Sequence, residues 1–135
     1  MNIDTIWVHC SATRPEMDIG ADTIRKWHKD RGWSDIGYHF VIRRTGQIEE
    51  GRPEDKPGAH VRGYNKNSLG ICLIGGVDYN GVADANFTFA QYQALVGLIQ
   101  ELKQKYGMNV EVRGHRDVAA KDCPCFSIQN LLEYT

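Results

Sequence analysis

An α/β fold is predicted for this chain: a single domain over residues 1–135, with a central mixed β-sheet flanked by helices. Three observations lead there. Short apolar runs rich in β-branched residues alternate with segments whose apolar residues recur at helical spacing, the pattern of layered sheet and helix. No internal repeat, low-complexity tract or linker rich in Pro, Gly or Ser divides the chain. At 135 residues, 41% hydrophobic and 24% charged, the chain is long enough to bury one core without staples.

The elements follow in order. Thr5 to Cys10 (TIWVHC) reads as a short buried strand. Ala21 to Asp30 reads as a helix on which Ile24 and Trp27 share a face, with Gly32 as its stop. Gly37 to Arg44 (GYHFVIRR) is a second strand, and the Thr45-Gly46 turn leads it into Gln47 to Glu50 as a hairpin. Gly51 to Asn67 carries Pro53, Pro57, Gly58 and Gly63 and is expected to be loop. Ser68 to Ile74 (SLGICLI) is a strongly apolar strand closed by Gly75-Gly76.

The clearest helix spans Thr88 to Tyr106. Thr88 and Gln91 have capping-box spacing, Leu95, Leu98, Ile99, Leu102 and Tyr106 recur at helical period, and Gly107 ends it. Val110 to Arg113 is a short strand and Ser127 to Tyr134 a short final helix.

Sixteen basic against seventeen acidic side chains give a formal charge of −1. Binding through phosphate neutralisation calls for a basic excess, so nucleic acid is not an expected partner. The same balance offers no attraction to anionic membranes, and specificity has to come from a shaped pocket. No positively charged start is followed by an apolar run, and no stretch reaches bilayer-spanning length, so a cytoplasmic protein without a signal peptide is expected. In that compartment Cys10, Cys72, Cys123 and Cys125 are expected as thiols or metal ligands rather than disulfides.

Three positions carry chemistry. His9 ends the first strand inside an apolar segment, His115 lies in Arg113-Gly114-His115-Arg116-Asp117 beyond the last strand, and Cys123 follows in Lys121-Asp122-Cys123-Pro124. Two imidazole nitrogens and one sulfur suit Zn²⁺, with a fourth position left for water. Spacing alone does not decide this, since no C-x-x-C or H-E-x-x-H is present. The same residues also read as a satisfied core histidine, a loop histidine and a buried thiol.

Several blocks together resemble the phage lysozyme amidases of the T-seven type. They are Val8 to Thr13 (VHCSAT), Gly32 to Phe40 (GWSDIGYHF), Gly58-Ala59-His60 through Gly63-Tyr64-Asn65, Ser68 to Gly76 (SLGICLIGG), Asp84 to Thr88 (DANFT), and Gly114 to Asp117 with Lys121-x-Cys123-Pro124. The blocks stand in that family's order and spacing over nearly the whole chain. The wider superfamily holds bacterial type-2 amidases and animal peptidoglycan recognition proteins.

The resemblance implies an N-acetylmuramoyl-L-alanine amidase with its zinc site in a surface cleft. Such an enzyme hydrolyses the lactyl-amide bond between N-acetylmuramic acid and L-alanine in bacterial peptidoglycan. His9, His115 and Cys123 match the family's zinc-ligand positions, and Tyr38 and Lys121 its two catalytic positions off the metal. A cationic Lys121 or the Tyr38 phenol aimed at the carbonyl oxygen would stabilise the tetrahedral state. Tyr38 or a water would relay a proton to the departing amine.

His60 matches a pocket-wall histidine that hydrogen-bonds the peptide stem or the reacting carbonyl, or else supports the site from behind or is simply exposed. Asn65 matches a position where the family keeps Asn and is expected with His60 to bind substrate, or else forms a turn. Tyr38 and His39 point to opposite faces of an extended strand, so His39 is expected to be structural. His28, beside Lys29, is expected at the surface, Trp27 and Trp33 in core or pocket wall, and Trp7 in the core. Cys10 is expected as a buried thiol turned away from His9. Cys125 departs from the family's small residue, and a fourth ligand from it would close the site and make the zinc structural.

A wall-recognition module without catalysis is the second reading, but non-catalytic members generally lack the cysteine ligand. A regulatory role is the third, since T-seven-type members also inhibit their phage's RNA polymerase through an N-terminal arm. That arm is short here, so this partnership is doubtful. The expected protein is a monomer made in the host cytoplasm that reaches the wall after the membrane is permeabilised.

Overall fold

A computed structural model of the chain describes residues 2–117 and 123. Five strands form one sheet: β1 (Thr5–Cys10), β2 (Phe40–Ile42), β3 (Ile48–Glu50), β4 (Ser68–Leu73) and β5 (Glu111–Gly114), in the order β3-β2-β4-β1-β5. β2, β4, β1 and β5 run parallel, and β3 pairs antiparallel at the edge. The two helices are α1 (Ala21–Asp30) and α2 (Phe89–Tyr106), and a 3₁₀ turn, His115–Asp117, follows β5. The expected mixed sheet flanked by helices is therefore present, and the final helix expected at Ser127 to Tyr134 lies outside the described residues.

β1 and β4 sit at the centre because their residues are buried on both faces, as the strands of parallel sheets must be. One face, with Ile6, Val8, Leu69, Ile71, Leu73, Phe40 and Ile42, packs against Leu95, Leu98, Ile99 and Leu102 of α2. The other face, with Val41, Cys72 and Ile74, packs against Ala21 and Ile24 of α1. Each fully buried Leu or Ile contributes roughly 1.5–3 kcal/mol.

α2 starts where its capping box predicts. Thr88 Oγ1 accepts from Gln91 N–H (3.0 Å), and Gln91 Oε1 accepts from Thr88 N–H (2.9 Å). The same Gln91 amide donates to Ile74 O (2.8 Å) and Ile42 O (3.2 Å), which ties the helix start to the carboxyl ends of β4 and β2.

Two expectations need correction. The strand expected over Gly37 to Arg44 is confined to Phe40–Ile42. At its far end, a turn closed by Gly46 N–H to Arg43 O (2.8 Å) already begins at Arg43. At its near end, Gly37 N–H is taken by the His28 ring (2.9 Å) rather than by a neighbouring strand.

The buried face of α1 is Ala21, Ile24 and His28, not Ile24 and Trp27. His28, expected at the surface, is 7% exposed, whereas Trp27 and Trp33 are each 37% exposed. Spacings of three and four residues place His28 over Ile24 and turn Trp27 outward.

Candidate metal centre and active site

The register of the sheet brings the site together. β1 pairs with β5 with Val8 opposite Gly114, so one step further along the ladder His9 lies level with His115. On the other side His9 stands opposite Cys72 of β4. The site thus forms at the carboxyl ends of parallel strands, where ligands of open α/β sheets collect. The crossovers through α1 and α2 leave in opposite directions from this point.

His9 Nδ1 lies 3.1 Å from His115 Nδ1. Cys123 Sγ accepts a hydrogen bond from the Cys10 backbone N–H at 2.9 Å. One ligand atom from each of His9, His115 and Cys123 lies within 4.8 Å of the others. A backbone bond from Arg116 N–H to Cys123 O (2.7 Å) ties the two C-terminal donors together. The Cys10 thiol itself is buried among the α2-facing core, as its alternation with His9 predicts.

Tyr38 stands half-buried with its ring 5.1 Å from the His9 ring and 5.6 Å from the His28 ring, centroid to centroid. Burial, and then the thiols of Cys72, Cys123 and Cys10, push its phenol well above the ordinary tyrosine range. Its hydroxyl therefore keeps its proton at neutral pH.

His28 reaches Tyr38 from α1. Its Nδ1 accepts from Gly37 N–H, its ring packs 4.5 Å from Trp33, and burial lowers its pKa, so it is neutral. Its role was not legible from a helix position flanked by Trp27 and Lys29. Replacing His28 by Leu strands the Gly37 N–H and is expected to cost about 1–3 kcal/mol, read as a lower urea midpoint.

His60 and Asn65 are drawn to the same centre, but from behind. His60 Nδ1 lies 3.0 Å from His9 Nε2, the ring nitrogen turned away from His115. Asn65 Oδ1 accepts from both His60 N–H and Val61 N–H, each at 2.9 Å, and so shapes the turn that carries His60. Burial, followed by the charges of His39, His115 and Arg52, lowers the His60 pKa to about 3, so the ring is neutral.

His39 is tied to the backbone, though not by the alternation expected of a strand. The strand begins at Phe40, and neither Tyr38 nor His39 lies in it. Its Nε2–H donates to Lys56 O (2.8 Å) and its Nδ1 accepts from Gly70 N–H (3.0 Å). Trp7 is buried in the same α1-side layer, edge-on to Tyr64 and beneath the Arg113 guanidinium.

The slot for the His60 ring exists because β4 has a glycine at its centre. A Cβ on Gly70 would lie 2.7 Å from His60 Cγ and 2.8 Å from its Nδ1, and one on Gly58 would lie 2.6 Å from its Cδ2. A glycine inside an apolar strand signals such a close approach. Gly70→Ala must therefore push a rigid ring, at an expected cost of about 1–3 kcal/mol. Urea unfolding of the variant checks this, with Gly97→Ala as the control, since nothing lies near a Cβ at Gly97.

Lys121 and Cys125 lie outside the described residues. Ser68, which sequence reasoning passed over as a strand residue, sits beside the His60 ring with Oγ 3.5 Å from Nε2.

Comparison with known proteins decides what this cluster belongs to. The family described as N-acetylmuramoyl-L-alanine amidase matches residues 1–126. The chain belongs to that amidase family. It is 53% identical over 128 residues to an endolysin of Klebsiella phage KP32, covering 95% of this chain and 84% of that one. Against the endolysin of Escherichia phage T7 it is 51% identical over 130 residues, covering 96% and 85%. Its fold is similar to that of the N-acetylmuramoyl-L-alanine amidase LysC from Clostridium intestinale. The TM-score is 0.83 with 32% identity, over 99% of this chain and 85% of that one.

The sequence resemblance to the T-seven type is thereby established, and the chain is an N-acetylmuramoyl-L-alanine amidase. Among the described residues no helix is long and apolar enough to cross a membrane.

Proposed function

We propose that the chain is a zinc-dependent endolysin that hydrolyses the amide between the lactyl group of N-acetylmuramic acid and L-alanine in bacterial peptidoglycan. The observation that carries the zinc reading is the convergence of two imidazole nitrogens and one thiol sulfur from three separate segments within 4.8 Å. The donor chemistry fits. Zinc–nitrogen bonds of about 2.0–2.1 Å in a tetrahedral site set the two nitrogens about 3.3 Å apart, and His9 Nδ1 and His115 Nδ1 lie 3.1 Å apart. Three protein donors leave a fourth position for water, as in catalytic rather than structural sites.

Zinc held by His9, His115 and Cys123 would supply a Lewis acid and bring the pKa of a water molecule near neutrality. The rest is the work of the chain. The Cys10 N–H donates to Cys123 Sγ and so holds the sulfur beside His9. The protonated Tyr38 hydroxyl, on a ring 5.1 Å from that of His9, is a donor for the oxygen on which negative charge grows as water adds to the carbonyl. Lys121, two residues before Cys123 in the sequence, matches the family's second catalytic position off the metal and would supply a positive charge. As the C–N bond breaks, the alanine nitrogen takes a proton and leaves as the free amine, and the lactyl group leaves as the carboxylate.

On the resemblance, His60 and Asn65 are kept as the residues proposed to meet the substrate, and His60 Nδ1 also lies 3.0 Å from His9 Nε2. A host-cytoplasmic origin, with action on the wall after membrane permeabilisation, follows the endolysin reading.

Digestion of purified peptidoglycan tests the bond. New alanine amino termini without new reducing sugars are expected, with loss of activity on chelation and recovery with Zn²⁺. New reducing ends would mean glycoside cleavage and would sink the assignment.

A further inference from the structure

The imidazole of His9 has two nitrogens, and only the one facing His115 is used by the metal reading. The other must carry a hydrogen when the first coordinates, and it needs an acceptor in the buried interior. We propose that His60 and Ser68 form an internal relay that fixes the His9 tautomer and ring angle, which makes His60 a positioning residue for the metal site rather than the substrate contact implied by the resemblance. The proposal rests on the zinc reading.

The geometry is continuous from the metal side to the backbone. His9 Nε2–H donates to His60 Nδ1 at 3.0 Å. The remaining His60 hydrogen is then on Nε2, which faces Ser68 Oγ at 3.5 Å. That hydroxyl spends its own hydrogen on Tyr64 O (2.8 Å), with Asn65 O at 3.1 Å, so its lone pairs are left to receive His60. The chain of donors runs in one direction and ends on a main-chain carbonyl, which cannot reverse it.

The relay is also held mechanically. The His60 backbone N–H is capped by Asn65 Oδ1. Its ring fills a slot cut by Gly58 and Gly70, where any Cβ would overlap it. The ring lies 9% exposed and perpendicular to the His9 ring, with centroids 5.0 Å apart. A substrate-binding histidine needs a free nitrogen at an accessible face. Both nitrogens of His60 are directed at protein atoms.

The test measures zinc affinity with a competing chelator in the parent chain, His60→Ala, His60→Asn and Ser68→Ala. His60→Asn keeps an acceptor oxygen near the position of Nδ1. Loss of a partner of this kind typically weakens metal affinity about 10–100-fold. The expected order is therefore a loss in that range for His60→Ala, substantial recovery in His60→Asn, and a smaller loss in Ser68→Ala.

Nitrogen NMR of the zinc-loaded parent should show His9 protonated at Nε2, with that proton slow to exchange. In His60→Ala it should exchange with water. KM for peptidoglycan fragments should stay near the parent value in zinc-saturated variants. Zinc affinity unchanged in folded His60→Ala, with KM raised, would overturn the relay and return His60 to substrate binding. A parent that binds no zinc through His9, His115 and Cys123 would instead refute the metal reading on which the relay rests.

Discussion

Cys123→Ala is expected to lower amidase turnover by more than about 10³-fold while leaving the protein folded. Cys123 brings the sulfur donor to a site whose other two described donors are imidazole nitrogens. Its loss leaves two ligands, which is too few for a three-donor platform. Beyond the metal, the change removes the sulfur that accepts the Cys10 N–H. Cys123 is only partly buried, and the bond that closes its loop, from Arg116 N–H, goes to its main-chain oxygen.

Bound zinc should fall from one equivalent to a small fraction. The metal-free protein should stay folded, with its urea midpoint lowered by no more than one lost hydrogen bond, about 1–3 kcal/mol. Metal analysis beside a turnover assay reads both. Retention of turnover with full zinc would remove Cys123 from the site and place another donor there.

The second large effect is on stability. Gln91→Ala is expected to destabilise the fold by about 2–4 kcal/mol, because a buried amide with four partners is lost at once. Gln91 is fully buried. Its oxygen receives Thr88 N–H and Arg44 Nη1, and its nitrogen serves Ile42 O and Ile74 O. The truncation uncaps α2, loosens it from two strands and leaves a cavity in the sheet–helix seam.

Equilibrium urea unfolding should show the midpoint falling with little change in slope. Thr88→Ala removes the other half of the capping box and its bond to Arg44 O (2.8 Å), and should cost about 1 kcal/mol. A loss under about 1 kcal/mol for Gln91→Ala would mean that Arg44 and the strand ends satisfy one another without it.

Much of this was legible because it is local. The Thr88–Gln91 spacing and the periodic leucines specify α2 within a few residues, and the apolar runs TIWVHC and SLGICL specify β1 and β4. His9, His115 and Cys123 were legible from family motifs rather than from spacing, since what unites them is the pairing of Val8 with Gly114 across more than a hundred residues.

The misreadings were of side-chain direction. Whether Trp27 or His28 faces inward depends on which residue of α1 lies over Ile24, and hydrophobicity favoured the wrong one. Ser68 is a strand residue until its loop neighbours Tyr64 and Asn65 are in place to accept its hydroxyl. Gly70 did carry a signal, a glycine in the middle of a buried strand, though not the identity of the ring that fills its slot.

Zinc-edge X-ray absorption on the metal-loaded protein tests the central claim most directly. An open catalytic site held by His9, His115 and Cys123 predicts one sulfur at about 2.3 Å and three nitrogen or oxygen neighbours at about 2.0–2.1 Å, one of them lost or replaced when a small anion binds. Two sulfurs, with no exchangeable neighbour, would bring Cys125 onto the metal and make the centre structural, which would contradict the account.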